Sequence, residues 1–200
     1  MQLSVVGKPN VGKTLLLINF AAYLGLRDLQ LEVEEDGIRR TQRLSLERAR
    51  RDLVSLYAPK TTHLQRMTLE LPLGRQHPVI RAVDTPGIPE GISPDAERRH
   101  QTAIALEQVM ASDLVLHVVD AGAAGTRRPE AAGAFDVALA SWGKARSGYC
   151  LIANKMDKPG SQDGLRLIKE RFRGTALIPV SAVTRRGFRD LKGWAQRILL

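Results

Sequence analysis

Gly7-Lys8-Pro9-Asn10-Val11-Gly12-Lys13-Thr14 fits the pattern G-x-x-x-x-G-K-[ST], and the rest of the chain is read outward from it. A short apolar run, Leu3–Val6, precedes it, and Lys13–Leu24 read as an apolar helix after it. A glycine-bearing turn between strand and helix lets backbone N–H groups converge on phosphate oxygens, and the helix adds the positive end of its dipole. Asn10, Val11 and Gly12 supply backbone to such a cradle, the Lys13 ammonium reaches the terminal phosphates, and the Thr14 hydroxyl ligates Mg2+.

Around this loop, apolar runs alternate with helical patterns. Strands are expected at Leu3–Val6, Met67–Leu71, Val79–Val83, Leu114–Val119, Tyr149–Ala153 and Ala176–Val180. Several lack polar alternation, as strands buried on both faces of a mostly parallel sheet do. Helices are expected at Lys13–Leu24, Asp95–Ala111, Glu130–Lys144, Asp163–Phe172 and Phe188–Leu199. This order predicts an α/β fold with right-handed crossovers. The 200 residues suit a single domain, 1–200, with short loops such as Pro86–Pro94 and Lys158–Gly164 inside it. One segment, about 28–58, is longer than a minimal domain of this kind requires. In it Leu29, Leu31 and Val33 alternate, Asp36-Gly37 offers a hairpin turn, and Ser45 can cap a short helix with Leu46, Ala49, Leu53 and Leu56 on one face.

Composition excludes some classes. Hydrophobic residues at 44% and charged residues at 26% are those of a globular domain, and no apolar run is long enough to cross a bilayer. Met1 leads almost directly into a strand, leaving no room for a targeting segment. The one cysteine, Cys150, lies in an apolar run and cannot form an internal disulfide, which suits a reducing cytoplasm. The net charge of +9 favours anionic partners such as RNA or acidic lipid. His63, His77, His100 and His117 show no metal-ligand spacing, and Trp142 and Trp194 read as packing anchors in helices.

Three further motifs each follow a strand. Asp84-Thr85-Pro86-Gly87 is a D-x-x-G that brings a carboxylate, Asp84, near the Mg2+ and the Gly87 N–H near the γ-phosphate. Asn154-Lys155-Met156-Asp157 supplies a carboxylate, Asp157, for the N1–H and N2 amino group of guanine. Adenine lacks that donor pair, so an ATPase reading is disfavoured. Ser181-Ala182 offers a backbone N–H toward the guanine O6.

With these pieces the chain resembles the translation-factor-related P-loop GTPases, and within them the Era-like group that also holds EngA, TrmE and EngB. The matching motifs span Gly7 to Val183. The resemblance implies a six-stranded, mostly parallel sheet flanked by helices, with one antiparallel strand, and GTP/GDP and Mg2+ as ligands. It also implies that Asn154 braces the loops and that Lys155 lays its stem along the nucleotide. Switch I is matched at Lys60-Thr61-Thr62-His63. Thr62, 22 residues before Asp84, is taken as the Mg2+ threonine and a catalytic residue beside Lys13 and Gly87, with Thr61 as the alternative. Many GTPases place a water-orienting glutamine after D-x-x-G; here the position is Ile88. Asn10 resembles the asparagine that helps hold K+ in potassium-activated members. The family's additional RNA-binding or second GTPase domain has no counterpart before Leu200.

The functional expectation is a GTP-hydrolysing switch in ribosome assembly or regulation. The arginine-rich insert (Arg39, Arg40, Arg43, Arg48, Arg50, Arg51) is its surface for the ribosome or rRNA, and GTP-dependent dimerisation stays open. A nucleotide-gated binding module with little turnover and a membrane-associated regulator are the alternatives.

Overall fold

Strands that lack polar alternation in the sequence are covered on both faces in this computed structural model, which describes residues 1–35, 38–54, 64–70, 78–126 and 129–199. In chain order the elements are β1 (Gln2–Val6), α1 (Lys13–Tyr23), β2 (Asp28–Glu35), β3 (Ile38–Ser45), α2 (Leu46–Leu53), β4 (Gln65–Glu70), β5 (Val79–Asp84) and α3 (Ala96–Met110). They continue as β6 (Leu114–Asp120), α4 (Ala121–Gly125), a 3-10 turn at Pro129–Ala132, α5 (Ala134–Gly143), β7 (Tyr149–Asn154), α6 (Ser161–Arg171), β8 (Leu177–Pro179) and α7 (Phe188–Leu199). Strand β6 shows the two-sided burial best. Leu114, Leu116 and Val118 join a core with Leu16, Leu17 and Phe20 of α1 and Leu191 and Trp194 of α7. Val115 and Val119 point the other way, to Ala105 and Val109 of α3, Leu139 and Ala140 of α5, and Ile168 of α6.

The expectation of six strands is corrected: among the described residues the sheet has eight, in the order β3-β2-β4-β5-β1-β6-β7-β8. Strands β5, β1, β6, β7 and β8 run parallel, and β4, β2 and β3 add three successive antiparallel pairings. The two additional strands are the insert's hairpin. Leu31 of β2 lies opposite Met67 of β4, and Leu29 opposite Leu44 of β3, so the apolar positions of all three strands share one face. Pairing β2 to β4 covers an edge that would otherwise expose unpaired backbone groups, and it buries Leu29 and Leu31 to 1% exposure. Each such leucine is worth about 1.5–3 kcal/mol, enough to fasten the insert to the main core.

Helix α2 follows the hairpin directly. The Ser45 side chain accepts from the Arg48 N–H at 3.2 Å as N-cap, and Leu46 and Ala49 are buried. The helix expected at Glu130–Lys144 is two pieces: a 3-10 turn, then α5, restarted where the Gly133 N–H donates to the Asp136 carboxylate at 2.9 Å. Helix α7 buries Phe188, Leu191 and Trp194 against the sheet, which accounts for its apolar face without a lipid surface. Trp142 packs edge-on to Tyr149, with the Arg146 guanidinium 4.8 Å above its ring. Cys150 is fully buried, and burial pushes its thiol up to about 12, an inert core residue. Among the described residues no helix is long and apolar enough to cross a membrane.

Candidate functional site

The loops carrying the motifs leave the carboxyl ends of β1, β5, β7 and β8 and meet above the sheet, where ligands of open α/β folds lie. The loop after β1 is shaped by three residues at positive φ, Gly7 at 149°, Asn10 and Gly12. Asn10 has φ 62°, tolerated because its short polar side chain eases that region. Gly12, at φ 94°, is the N-cap of α1, and a Cβ there would stand 2.6 Å from the Asn154 amide nitrogen. Among the described residues no side chain caps α1, so its first N–H groups face an anionic ligand. Lys13 is 6% exposed, and its ammonium donates to the Gly7 and Lys8 carbonyls at 3.1 and 3.0 Å. Burial pulls it down to about 8, against the opposing charge of Asp84. A desolvated cation at the rim of a ring of N–H donors is strongly biased toward a phosphate oxygen.

Beside it, the Thr14 hydroxyl donates to the Asp84 carboxylate at 2.5 Å, and Asp84 is fully buried. The loop after Asp84 is stitched to β1 and the phosphate loop. Thr85 donates to the Val5 carbonyl through its N–H (3.3 Å) and hydroxyl (2.8 Å), and the Ile88 N–H donates to the Gly7 carbonyl at 3.2 Å. Gly87 presses on Pro9 so closely that a Cβ would sit 2.6 Å from its Cα, so only glycine fits. Ile88 is 4% exposed and belongs to the core.

On the other side, Asn154 ties two loops together. Its Nδ2 donates to the Val11 carbonyl at 2.8 Å, and its Oδ1 accepts from the Ala182 N–H at 3.0 Å. The Ser181 hydroxyl donates to Asp157 at 2.6 Å and accepts from the Thr184 N–H at 3.0 Å. Lys155 is held at φ 65°, with its ammonium 2.6 Å from Asp120. Asp157 is exposed, so the penalty for leaving its carboxylate unpaired arises once a base covers it. The structure therefore gathers Asn10, Val11, Gly12, Lys13, Thr14, Asp84, Gly87, Asn154, Lys155, Asp157, Ser181 and Ala182 at one end of the sheet. Thr61, Thr62 and His63 lie outside the described residues.

Some residues at the site escaped the sequence reading. Lys8, inside the phosphate loop, ion-pairs with Glu90 at 2.5 Å and Asp136 at 2.9 Å. Burial works against its charge, but the two carboxylates outweigh it and hold its pKa above the ordinary lysine value. Asp136 also meets His117 Nε2 at 3.0 Å, and the Tyr149 hydroxyl lies 2.6 Å from His117 Nδ1, so His117 is structural. Glu90 accepts from the Phe135 N–H at 2.9 Å, fastening the loop after Gly87 to α5. The insert's arginines need correction too. Arg43 pairs with Asp28, Arg48 and Arg51 with Asp52, and Arg50 turns inward to donate to Asn19 Oδ1 at 2.6 Å.

Comparison with known proteins agrees with this arrangement. Residues 41–155, more than half the chain, match the family model described as 50S ribosome-binding GTPase. GTPase Obg from several Staphylococcus aureus strains is 34% identical over 106 residues, 51% of this chain and 24% of Obg, so the chain matches about a quarter of that relative's length. Among solved structures, an Aquifex aeolicus Era variant bound to GDP·AlF4− superposes with TM-score 0.65 at 22% identity, covering 98% of this chain and 56% of Era. Era in complex with MgGDPNP and a 16S rRNA fragment gives TM-score 0.65 at 24% identity, over 98% and 56% of the two chains. The G domain of the T. maritima FeoB iron transporter gives 0.59 at 18%, over 100% and 99%. These structural likenesses establish the fold, and the family model adds the lineage. With a phosphate loop, a D-x-x-G and an N-K-x-D standing at one end of that fold, the chain belongs to the 50S ribosome-binding GTPase family of P-loop GTPases.

Proposed function

We propose that this chain, a single G domain over residues 1–200, hydrolyses GTP to GDP and phosphate, and that its insert docks on the ribosome or rRNA. The observation that carries the first part is the bridge from Val11 through Asn154 to Ala182, which fixes a phosphate site and a base site at one spacing. Water attacks the γ-phosphorus, the bond to the β–γ bridging oxygen breaks, and GDP leaves. Lys13 neutralises charge on the β- and γ-phosphates and the Gly87 N–H meets the γ-phosphate. Asp157, Lys155, Ser181 and Ala182 hold guanine. The adjacent Thr14 and Asp84 oxygens are the hard donors that Mg2+ takes alongside phosphates and water; among the described residues no cluster of acids, cysteines or histidines builds an all-protein metal cage. Thr62 completes this set. Mg2+ supplies charge neutralisation across the phosphates. Asn10 is the residue for K+.

A second reading, occupancy signalling with little turnover, is favoured by Ile88, which is buried in the core and has no side-chain atom to orient water. The docking reading rests on exposed arginines at the sheet's outermost edge: Arg40 and Arg43 of β3, and Arg48 of α2. The pairings of Arg43 and Arg48 are exposed and worth at most about 1 kcal/mol, so phosphates displace them readily. The support from relatives is the ribosomal family description and the Era–rRNA complex.

The test has two arms. The purified protein turns over GTP and not ATP, Thr14→Ala abolishes turnover, and Asp157→Asn moves preference to xanthine nucleotides; equal use of ATP and GTP sinks the site assignment. In sedimentation with ribosomes, Arg40, Arg43 and Arg48 changed together to glutamate lose binding in the GTP state and keep GDP affinity. Normal sedimentation of that variant removes the insert as docking surface.

A further inference from the structure

Asn19 is the one polar residue in the run Leu15–Ala22 of α1, and it is 6% exposed. Both ends of its amide are used. Oδ1 accepts from Arg50 Nε at 2.6 Å, and Nδ2 donates to the Ala182 carbonyl at 2.7 Å. Ala182 is thereby held twice, since its N–H donates to Asn154 Oδ1 at 3.0 Å while Asn154 Nδ2 donates to the Val11 carbonyl at 2.8 Å. A single line of hydrogen bonds runs from the insert through α1 and the guanine-side loop to the phosphate loop.

Arg50 and the Ala182 carbonyl fix the orientation of the relay together. A side-chain amide presents oxygen at one end and NH2 at the other. A guanidinium accepts nothing, so whatever faces Arg50 must be the oxygen, which turns the NH2 toward the Ala182 carbonyl. The Ala182 carbonyl, which also only accepts, selects the same orientation, so the amide is held from both ends and loss of Arg50 leaves it anchored at one. Helix α2 singles out this arginine by its own geometry. Leu46, Ala49 and Arg50 recur at i, i+3 and i+4 on the face turned to α1, while Arg48 and Arg51 stay at the surface, 60% and 72% exposed.

We propose that Arg50 is a positioning residue for the guanine-side loop, and that the insert sets nucleotide residence time through Asn19. This rests on the guanine-nucleotide reading of the site and on no particular partner for the insert. The relay's contacts lie on the guanine-side loop and the Val11 carbonyl and include no group assigned to the γ-phosphate, so it governs GDP and GTP alike. A partner that shifts α2 outward withdraws Arg50 and speeds release.

The experiment is stopped-flow displacement of fluorescent GDP and of a fluorescent non-hydrolysable GTP analogue. Arg50→Met keeps the stem and helix propensity and loses the donor, and it raises both dissociation rates about tenfold. Arg50→Lys restores a donor and stays within about threefold of wild type, whereas a packing role makes Met and Lys behave alike. Asn19→Ala releases about as fast as Arg50→Met, and the double variant is no faster than the quicker single, because both break one line. Arg166→Met, on the remote α6, releases at the wild-type rate. Wild-type release from Arg50→Met overturns the proposal. So does faster release of the GTP analogue alone, which assigns the effect to switch I. Failure of the wild type to retain either nucleotide overturns the site reading beneath it.

Discussion

Asp136→Ala removes the hub of a buried polar cluster, and the cost can be worked from its contacts. The carboxylate, 2% exposed, accepts from the Gly133 N–H at 2.9 Å, faces Lys8 Nζ at 2.9 Å and meets His117 Nε2 at 3.0 Å. The Asp136 carboxylate accepts, so the His117 Nε2–H is directed at it, and the Tyr149 hydroxyl, kept protonated by burial, meets His117 Nδ1. With alanine, the cap of α5 and the imidazole lose a partner, each worth about 1–3 kcal/mol when buried. Lys8 keeps Glu90 and loses Asp136, and breaking a buried pair costs about 3–5 kcal/mol. These contributions overlap, and Glu90 compensates part of the last, so the expected loss is about 3 kcal/mol. For a chain of this size that is a fall of roughly 6–12 °C in Tm. Urea unfolding of the nucleotide-free protein gives a lower midpoint at unchanged slope. Lys8→Met then costs much less in the Asp136→Ala background than in wild type, because its ammonium has already lost a partner. A loss under about 1 kcal/mol, or equal costs of Lys8→Met in both backgrounds, refutes the hub.

Two further outcomes are expected. Turnover is slow and rises in potassium over sodium at equal ionic strength, and Asn10→Ala removes the difference; identical rates in both salts from the wild type dismiss the K+ site. Lys13 sits at about 8 when no phosphate is near, and bound phosphates raise it, so GDP binding takes up a proton above pH 8 and essentially none at pH 6.5. Affinity accordingly falls as pH rises from 7.5 to 9, and calorimetry at pH 9 in buffers of different ionisation enthalpy that finds no uptake contradicts the desolvated ammonium.

What was legible in the sequence is what local chemistry dictates. A phosphate cradle needs glycine, lysine and a hydroxyl within a few residues, so Gly7–Thr14 can be read without a fold. Strand β6 announces two-sided burial by lacking polar alternation, and Leu29 and Leu31 announce one-sided burial by keeping it. The partner of that one-sided strand is not local. That β2 joins β4, making eight strands, depends on the register of Leu31 with Met67, which no periodicity encodes. Helix α4 escaped because Ala121–Gly125 is short and glycine-bearing, and it forms on the Asp120 cap, whose carboxylate accepts from the Ala123 N–H at 3.0 Å.

The arginines of the insert are a different case, because the signal was present and misread. Counting Arg48, Arg50 and Arg51 together as a charged face treats charge as outweighing position. The helical period places Arg50 with Leu46, Ala49 and Leu53, toward the core, and a long side chain there buries its stem and delivers its head to whatever acceptor lies within reach. That acceptor is Asn19, itself a polar residue in an apolar helix. Lys8 follows the same logic: it occupies a position that the motif leaves free, yet Asp136 and Glu90 wait beside it. A polar group set where the pattern calls for an apolar or indifferent one must be satisfied when buried, so each such exception points to a partner that sequence distance hides. Here the exceptions at Lys8, Asn19 and Arg50 all lead to loops that border the nucleotide site, and the ion pairs and hydrogen bonds of these three groups tie those loops to the elements around them.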